Sequence, residues 1–355
     1  ALRVLSRRGP VDPAELASRF DAPEAGLHDP RLLPDAEVVR ARVSQARSTG
    51  ESVLVLGDFD ADGLTGLSIL TLAFRRLGLE VEPYVPDRTG EGHGLSMAAV
   101  EHAREMGHRL IVTADTGSTS IAEITAAREA GIDTIVTDHH VLGEEPPDAL
   151  ALVNAQRPDS AYPDRRLSGA GIAFKVAQLL LDDDAEDRAA ALALADLAAV
   201  GSVADVVPIT GENRSIVRLG LARLEADPRP GLAALMRRAR VEREGVSTDD
   251  ISFGLAPRIN AMGRIGDPIV AARLLLSSDL DAAERLADEL EVANKLRREL
   301  TATAMAEARE RLATTPGSPF TVLSGDWPVG IIGLVAGRLA EQLGTPVLVL
   351  STQVL

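Results

Sequence analysis

The chain contains no cysteine, which excludes disulfides and thiolate metal ligands and fits a cytoplasmic protein. Aromatic residues are scarce: one Trp, two Tyr and six Phe among 355 residues. That leaves little with which to stack successive bases, so a nucleic-acid ligand would be held mainly through its backbone. No apolar run reaches 18 residues and the N-terminus has no signal-like pattern, so the sequence reads as a soluble protein with no membrane partner. Lysine is nearly absent as well, with only Lys175 and Lys295. Arginine supplies the remaining positive charge and suits bidentate phosphate contacts, although a compositional bias accounts for most of it. The net charge of −16 works against non-specific binding of duplex DNA, which needs a basic surface. It leaves a nucleic-acid substrate open, because part of the acid excess can be metal ligands whose charge an ion cancels.

What is present is a chain longer than one typical domain, with 45% hydrophobic residues, enough for a sizeable core and two domains. It begins at Ala1 rather than Met and stops at Leu355 just after a strand-like run, the pattern expected of a fragment. The chemistry concentrates at residues 53–66, Val-Leu-Val-Leu-Gly-Asp-Phe-Asp-Ala-Asp-Gly-Leu-Thr-Gly. Val53 to Leu56 have the run of a buried strand, Gly57 ends it, and helical spacing resumes from Leu64 to Leu77. Between them Asp58, Asp60 and Asp62 repel one another unless a cation sits among them. A solvated aspartate-rich turn or a helix N-cap explains such a triplet equally well. Two more strand-like runs end in acids: Leu110 to Asp115, and Ile132 to Asp138, which is followed by His139 and His140. In an open parallel sheet the strand C-termini emerge along one edge, where ligands bind, so these residues should converge. Carboxylates mixed with imidazole suit Mn²⁺, Mg²⁺ or Zn²⁺, with manganese a natural host for the mixture.

The pair Asp-Phe-Asp-Ala-Asp-Gly at 58–63 and Asp-His-His at 138–140 resembles the DHH phosphoesterase family, and within it the RecJ-type single-strand-specific exonucleases. Further segments carry the resemblance. Pro86-Asp-Arg88-Thr-Gly-Glu-Gly-His93-Gly94 is a glycine-rich loop in which Arg88 can hold a phosphate. It is similar to the family's Pro-x-Arg…Glu-Gly-aromatic-Gly loop, with His93 where an aromatic is usual. Ser168-Gly-Ala-Gly171 opens a helix as an anion site would, or simply packs closely there. Asp205 lies in an apolar stretch, where capping or metal ligation gives it a partner. Ala256-Pro-Arg258-Ile-Asn260-Ala-Met-Gly-Arg264 resembles a family signature beside the metal site; from the residues alone, phosphate clamping and surface ion pairs remain open. Gly330 to Arg338 resembles the start of a DHHA1 domain, although the usual Trp-His-Pro-Gly run is here Trp327-Pro-Val-Gly330.

Around these motifs, strands are expected near 52–57, 80–85, 109–114 and 132–137, with helices near 64–77, 96–106 and 119–130. These repeated βα units predict an α/β fold with a doubly wound parallel sheet. A helix around Ala36–Ser48 should cover a sheet edge, and residues 190–200 read as one helix after a charged interruption at 182–188. Leu280 to Ala313 reads as one amphipathic helix, striped by Leu286, Leu290, Ala293, Leu296 and Leu300 and ended by residues 314–319. The resulting division is an N-terminal segment 1–50, a DHH domain 51–278, a connecting helix 279–315, and a truncated DHHA1 domain 316–355.

The resemblance implies metal-dependent hydrolysis of phosphodiesters, with 5′→3′ exonuclease action on single-stranded DNA. It places two Mn²⁺ or Mg²⁺ ions among Asp58, Asp60, Asp62, Asp115, His139 and Asp205. Asp138 would orient His139, and His140 would contact the scissile phosphate or assist the leaving oxygen. Arg88, Ser168, Gly171, Arg258, Asn260 and Arg264 would bind substrate, and a helicase or single-strand-binding protein is a plausible partner. The alternatives are the same chemistry on short oligonucleotides or cyclic dinucleotides, and a non-catalytic scaffold, which would be expected to have lost ligands. A nucleotide-binding Rossmann protein fails because no Gly-x-Gly-x-x-Gly follows the first strand.

Overall fold

A computed structural model describes residues 22–88, 90–313 and 319–353. The expectations for residues 1–21 and for the break at 314–318 lie outside the described residues. Five parallel strands form the main sheet: β1 Val53–Gly57, β2 Val81–Tyr84, β3 Leu110–Ala114, β4 Asp133–Thr137 and β5 Ala151–Val153. Their order is β2-β1-β3-β4-β5. Val53 pairs with Val81 on one side and Leu110 on the other, so the winding reverses between β1 and β3. β1 and β3 are buried along their whole length, as continuous apolar strands between two helical layers must be.

Helix α1 (Ala36–Thr49) packs Val39, Val43 and Ala46 into the larger of two cores. Its buried Arg42 bonds Asp133 and the Arg109 carbonyl, and the Asp35 carboxylate accepts the backbone N–H of Leu152 in β5. One face of the sheet is covered by α3 (Met97–Met106) and α4 (Ile121–Glu129) over a small core that includes Leu54, Ile111 and Val136. The other face carries the larger core, built with α2 (Ala61–Arg76), α5 (Gly169–Leu180) and α7 (Ala195–Ala204). The expected helix at 64–77 begins three residues earlier, because Asp60 caps it through the N–H groups of Asp62 and Gly63. The helix expected over 190–200 is instead two, α6 (Ala185–Ala193) and α7, meeting at Leu194.

Residues 208–278 form α8 (Gly211–Ala226), α9 (Pro230–Ala239), a π-helical turn (Asp250–Leu255), α10 (Ala256–Ile265) and α11 (Pro268–Leu276). The sequence reading did not anticipate β5 or most of these helices. α12 (Leu280–Ala313) matches its expected bounds and extends about 50 Å at 1.5 Å per residue. Its first half packs Ala283, Ala287 and Leu290 into the larger core. Its second half packs Ala304, Met305 and Ala308 against a separate cluster containing Trp327, Ile331 and Val349. That cluster belongs to β6 (Thr321–Gly325), α13 (Val329–Leu343) and β7 (Val347–Ser351), whose two strands pair in parallel. The helix therefore spans two cores, which is what its length requires.

A buried ion pair pins the described N-terminal segment to this scaffold. Lys175 on α5 and Glu212 on α8 are both fully buried, 3.0 Å apart. Glu212 also accepts from Tyr162 Oη and the His28 N–H, while Lys175 donates to the His28 carbonyl. Burial pushes the Lys175 ammonium below its ordinary value, so it depends on that carboxylate. Glu212→Gln should lower the free energy of urea unfolding by about 3–5 kcal/mol, because it strands a buried charge. The double variant Lys175→Met/Glu212→Gln should recover most of that loss.

Candidate metal centre

The expected convergence occurs at the carboxyl edge of the sheet, at the β1/β3 reversal. Asp58 and Asp60 follow β1, Asp62 lies in the first turn of α2, Asp115 follows β3, and Asp138, His139 and His140 follow β4. Asp205 reaches the same space from the end of α7. Ligand atoms group within 4.8 Å of one another in three sets: Asp58, Asp60 and Asp115; Asp62, His139 and Asp205; Asp115, His139 and His140. Asp115 and His139 each belong to two sets, so the sets form one continuous centre.

Local structure fixes each carboxylate. Asp60 Oδ1 caps α2, so the capping role and a place at the centre coexist in one side chain. Asp62 is seated on the N-terminus of α5, its two oxygens accepting from Gly169 N at 2.7 Å and Ala170 N at 2.9 Å. Asp115 has φ of 61°, a left-handed conformation that a non-glycine residue adopts only when its surroundings enforce it. Two glycines leave the room that this packing needs. A Cβ on Gly169 would fall 2.6 Å from Asp115 Oδ1, and one on Gly201 would fall 2.6 Å from Asp62 Oδ1 and 2.5 Å from Ala170 Cβ.

Crowding of like charge in a dry space dominates the electrostatics. Burial, reinforced by Asp205 and Asp60, pushes the Asp62 carboxyl up to about 8. Burial and Asp60 raise Asp205 to about 6, and burial with neighbouring carboxylates raises Asp115 and Asp58. Burial lowers His139, with His140 adding to the effect, and leaves its imidazole neutral and suited to ligation. Three buried atoms, Asp58 Oδ1, Asp115 Oδ1 and His139 Nε2, have no hydrogen-bond partner, although the last two lie 3.0 Å apart. Carboxylate oxygens and a neutral imidazole nitrogen directed into a common space make a donor set for a hard or borderline divalent cation. The residues fit such an ion.

The other predicted residues divide. Asp138 bonds the backbone of His139 and not its ring. Its Oδ1 accepts the His139 N–H at 2.7 Å and His140 Nδ1 at 2.8 Å, and its Oδ2 accepts the Ser118 N–H. Burial alone would raise Asp138, but these hydrogen bonds outweigh it and bring the carboxyl down to about 2. The same contact lifts His140 to about 9, and its half-exposed ring carries a positive charge at the centre's rim. Ser168 and Gly171 are fully buried and bond each other; the anion at their helix start is the protein's own Asp62, not a substrate phosphate. Asn260 Oδ1 accepts the Ala61 N–H at 2.7 Å, so it steadies the aspartate loop. Arg258 is committed to Glu291 and to the Gly254 and Arg238 carbonyls. Arg264 donates to the Gly330 carbonyl and, with Arg88, borders a cleft of about 380 Å³ between α10, α12 and the start of α13.

The sequence reading passed over Phe59, whose ring carries the Arg88 guanidinium at 4.7 Å and the His93 ring at 4.4 Å. Its place between two ligand aspartates is the only signal it gives. Ser118, Asn154 and Gln156 were missed too. Asn154 donates to the His140 carbonyl and to Ser118 Oγ, and Gln156 donates to the His139 carbonyl. No motif marks them.

The N-terminal domain model of the DHH family matches residues 52–202. The single-stranded-DNA-specific exonuclease RecJ of Bacillus subtilis is 37% identical over 98% of this chain and 44% of its own length. The Thermus thermophilus RecJ is 37% identical over 86% of this chain and 45% of its own. A crystal structure of exonuclease RecJ bound to manganese superposes with a TM-score of 0.80 at 35% identity, covering 90% of this chain and 80% of that one. The chain belongs to the RecJ family. It spans about half the length of the Bacillus and Thermus RecJ proteins. Crystal structures of the Thermus RecJ hold Mn²⁺ in one case and Mg²⁺ in another.

Two expectations follow from this RecJ-family site. Without metal, the fold keeps protons on Asp62 and Asp205 that the unfolded chain has already released, so stability should fall as pH rises from the ordinary carboxylate range through about 6 and on to about 8. His140 works in the same sense, its contribution disappearing as pH passes about 9. Lowered His139 opposes this around its unfolded value, and Asp138 loses its contribution only near pH 2. In chelator, calorimetry should give a lower Tm at pH 8 than at pH 5.5, and Asp62→Asn should flatten the difference. Gly201→Ala, which drives a methyl group against Asp62, should weaken Mn²⁺ binding by about 10-fold or more in titration calorimetry.

Proposed function

We propose that the chain is a divalent-metal-dependent phosphodiesterase that removes nucleotides from the 5′ end of single-stranded DNA. The observation that carries this reading is the set of carboxylate and imidazole atoms that overlap at Asp115 and His139 and leave three buried donor atoms unpaired. The RecJ relatives, named as single-stranded-DNA-specific exonucleases, supply the substrate class and cleavage type. Mn²⁺ or Mg²⁺ would be held by Asp58, Asp60, Asp62, Asp115, His139 and Asp205, as two ions. When bound, the ions would supply charge neutralisation at the phosphate and activation of a water nucleophile.

The chain's own residues would do the rest. Burial and mutual repulsion make the empty carboxylate set unfavourable, so the fold is organised to take up positive charge. His140, charged and held through Nδ1 by Asp138, presents the rest of its ring at the rim, where it can contact the scissile phosphate or give a proton to the leaving oxygen. Arg88, spread over Phe59, and Arg264, at the cleft wall, would hold the phosphate backbone; neither makes an ion pair among the described residues. Burial, together with Arg88 and Arg297, depresses the Arg264 guanidinium, a repulsion that an incoming phosphate would relieve. Arg88, Arg264 and Arg297 therefore form a local group of positive charge in a chain of net charge −16.

We read residues 51–278 as the catalytic domain, 279–315 as its connecting helix and the β6–α13–β7 unit as the start of DHHA1. A cytoplasmic location, and a helicase or single-strand-binding protein as the agent that presents the strand, complete the proposal. The test is digestion of 5′-labelled and 3′-labelled single strands with Mn²⁺, beside a matched duplex. Mononucleotide should be released first from the 5′ end, with at least about a 10³-fold loss in Asp115→Ala and no digestion of the duplex. Turnover of dinucleotides alone would move the protein to a small-substrate phosphodiesterase.

A further inference from the structure

The His139–His140 dipeptide is gripped from both sides. On its N–H side, Asp138 Oδ1 accepts from His139 N at 2.7 Å, from His140 N at 3.2 Å and from the His140 ring. On its carbonyl side stand two carboxamides from the segment that follows β5. Asn154 Nδ2 donates to the His140 carbonyl at 2.9 Å and to Ser118 Oγ at 3.1 Å, while Gln156 Nε2 donates to the His139 carbonyl. The two amides are themselves locked together, since Asn154 Oδ1 accepts the Gln156 N–H at 2.9 Å. Asn154 is fully buried and every polar atom of its side chain is used. Ser118 closes the circuit: its N–H goes to Asp138 Oδ2 and its hydroxyl receives Asn154.

We infer that Asn154 and Gln156 are positioning residues for the metal centre, fixing where His139 Nε2 and the His140 ring stand relative to Asp115. The deduction rests on reading the site as a metal centre and assigns new residues to it. A peptide of two adjacent ring-bearing residues has two soft dihedrals at each residue, and a small rotation at either displaces a ring nitrogen by ångströms. β4 ends at Thr137, so no ladder hydrogen bond holds the two carbonyls beyond it. The carboxamides replace the missing ladder and leave His139 Nε2 free for other work. Asp138 grips only the N–H side of the dipeptide, and the carboxamides hold its carbonyl side. Ligand-orienting contacts of this kind are worth about 10–100-fold in metal affinity.

The test uses the whole chain, with Mn²⁺ alone as the titrant. Asn154→Asp and Gln156→Glu are near-isosteric and remove the donors while adding negative charge. On charge alone they would tighten binding of a cation, whereas positioning predicts that each weakens it by about 10–100-fold. Gln156→Ala, at a half-buried position that tolerates truncation, should weaken Mn²⁺ binding with little change in the unfolding midpoint. A purely structural role would move the midpoint and leave the dissociation constant alone. The second readout is the imidazole ¹⁵N spectrum of metal-free protein, where the His140 ring held by Asp138 should change its resonances in all three variants. Wild-type affinity together with wild-type ring resonances in Gln156→Glu and Gln156→Ala overturns the inference. If the wild type itself takes up no Mn²⁺, the metal-centre reading falls, while the ring resonances still decide the positioning role.

Discussion

Five aspartates share one end of a parallel sheet with a neutral imidazole, and Asp62 and Asp115 among them are almost out of contact with water. At neutral pH this arrangement is under electrostatic strain, and most of what surrounds it serves to hold the strain in place. The α5 N-terminus offers two N–H groups to Asp62, Asp60 spends one oxygen on capping α2, and Asn260 reaches from α10 to hold the loop between them. Gly169 and Gly201 remove the side chains that would push the carboxylates apart. A cation dissolves the conflict, because each of these contacts then steadies a ligand instead of opposing a repulsion.

The position of the centre follows from topology. The sheet reverses its winding between β1 and β3, so the connections leaving those strands part company and open a crevice at their carboxyl ends. Asp58 and Asp115, which directly follow those two strands, form its floor. The wall opposite is built from distant chain: Asp205 at the end of α7, and Asn260 and Arg264 on α10. α12 then carries the second core to the same rim, where Arg264 bonds the Gly330 carbonyl. The fold thus sets the acidic floor beside a cleft bordered by Arg88 and Arg264, a division of charge that suits a phosphate chain approaching metal ions.

Much of the floor was legible in the sequence because its residues are local to strand ends. A buried strand that stops at an acid declares both the element and the direction of its last side chain, and the β1, β3 and β4 motifs each do so. The α12 helix was equally plain, since a long uninterrupted apolar stripe admits one interpretation. The walls and supports were harder. Asp62 takes its hydrogen bonds from residues 107 and 108 positions away, and Ala61 bonds Asn260 at a separation of 199. Residues chosen for such contacts carry no periodicity, and Ser168, Gly171, Asn260 and Arg258, to which the resemblance gives substrate roles, are bonded to protein. The division between α6 and α7 escaped notice because Leu194, where they meet, is neither glycine nor proline. Asn154 follows a strand of only three residues, too short to reveal itself by alternation.

One continuous donor set, shared at Asp115 and His139, would take up two cations. This is tested most directly by anomalous diffraction at the manganese edge on crystals of this chain equilibrated with Mn²⁺. Two anomalous peaks should flank the Asp115 carboxylate, one toward Asp58 and Asp60 and the other toward Asp62, His139 and Asp205. Peaks elsewhere on the acidic surface, with none at Asp115, would contradict it.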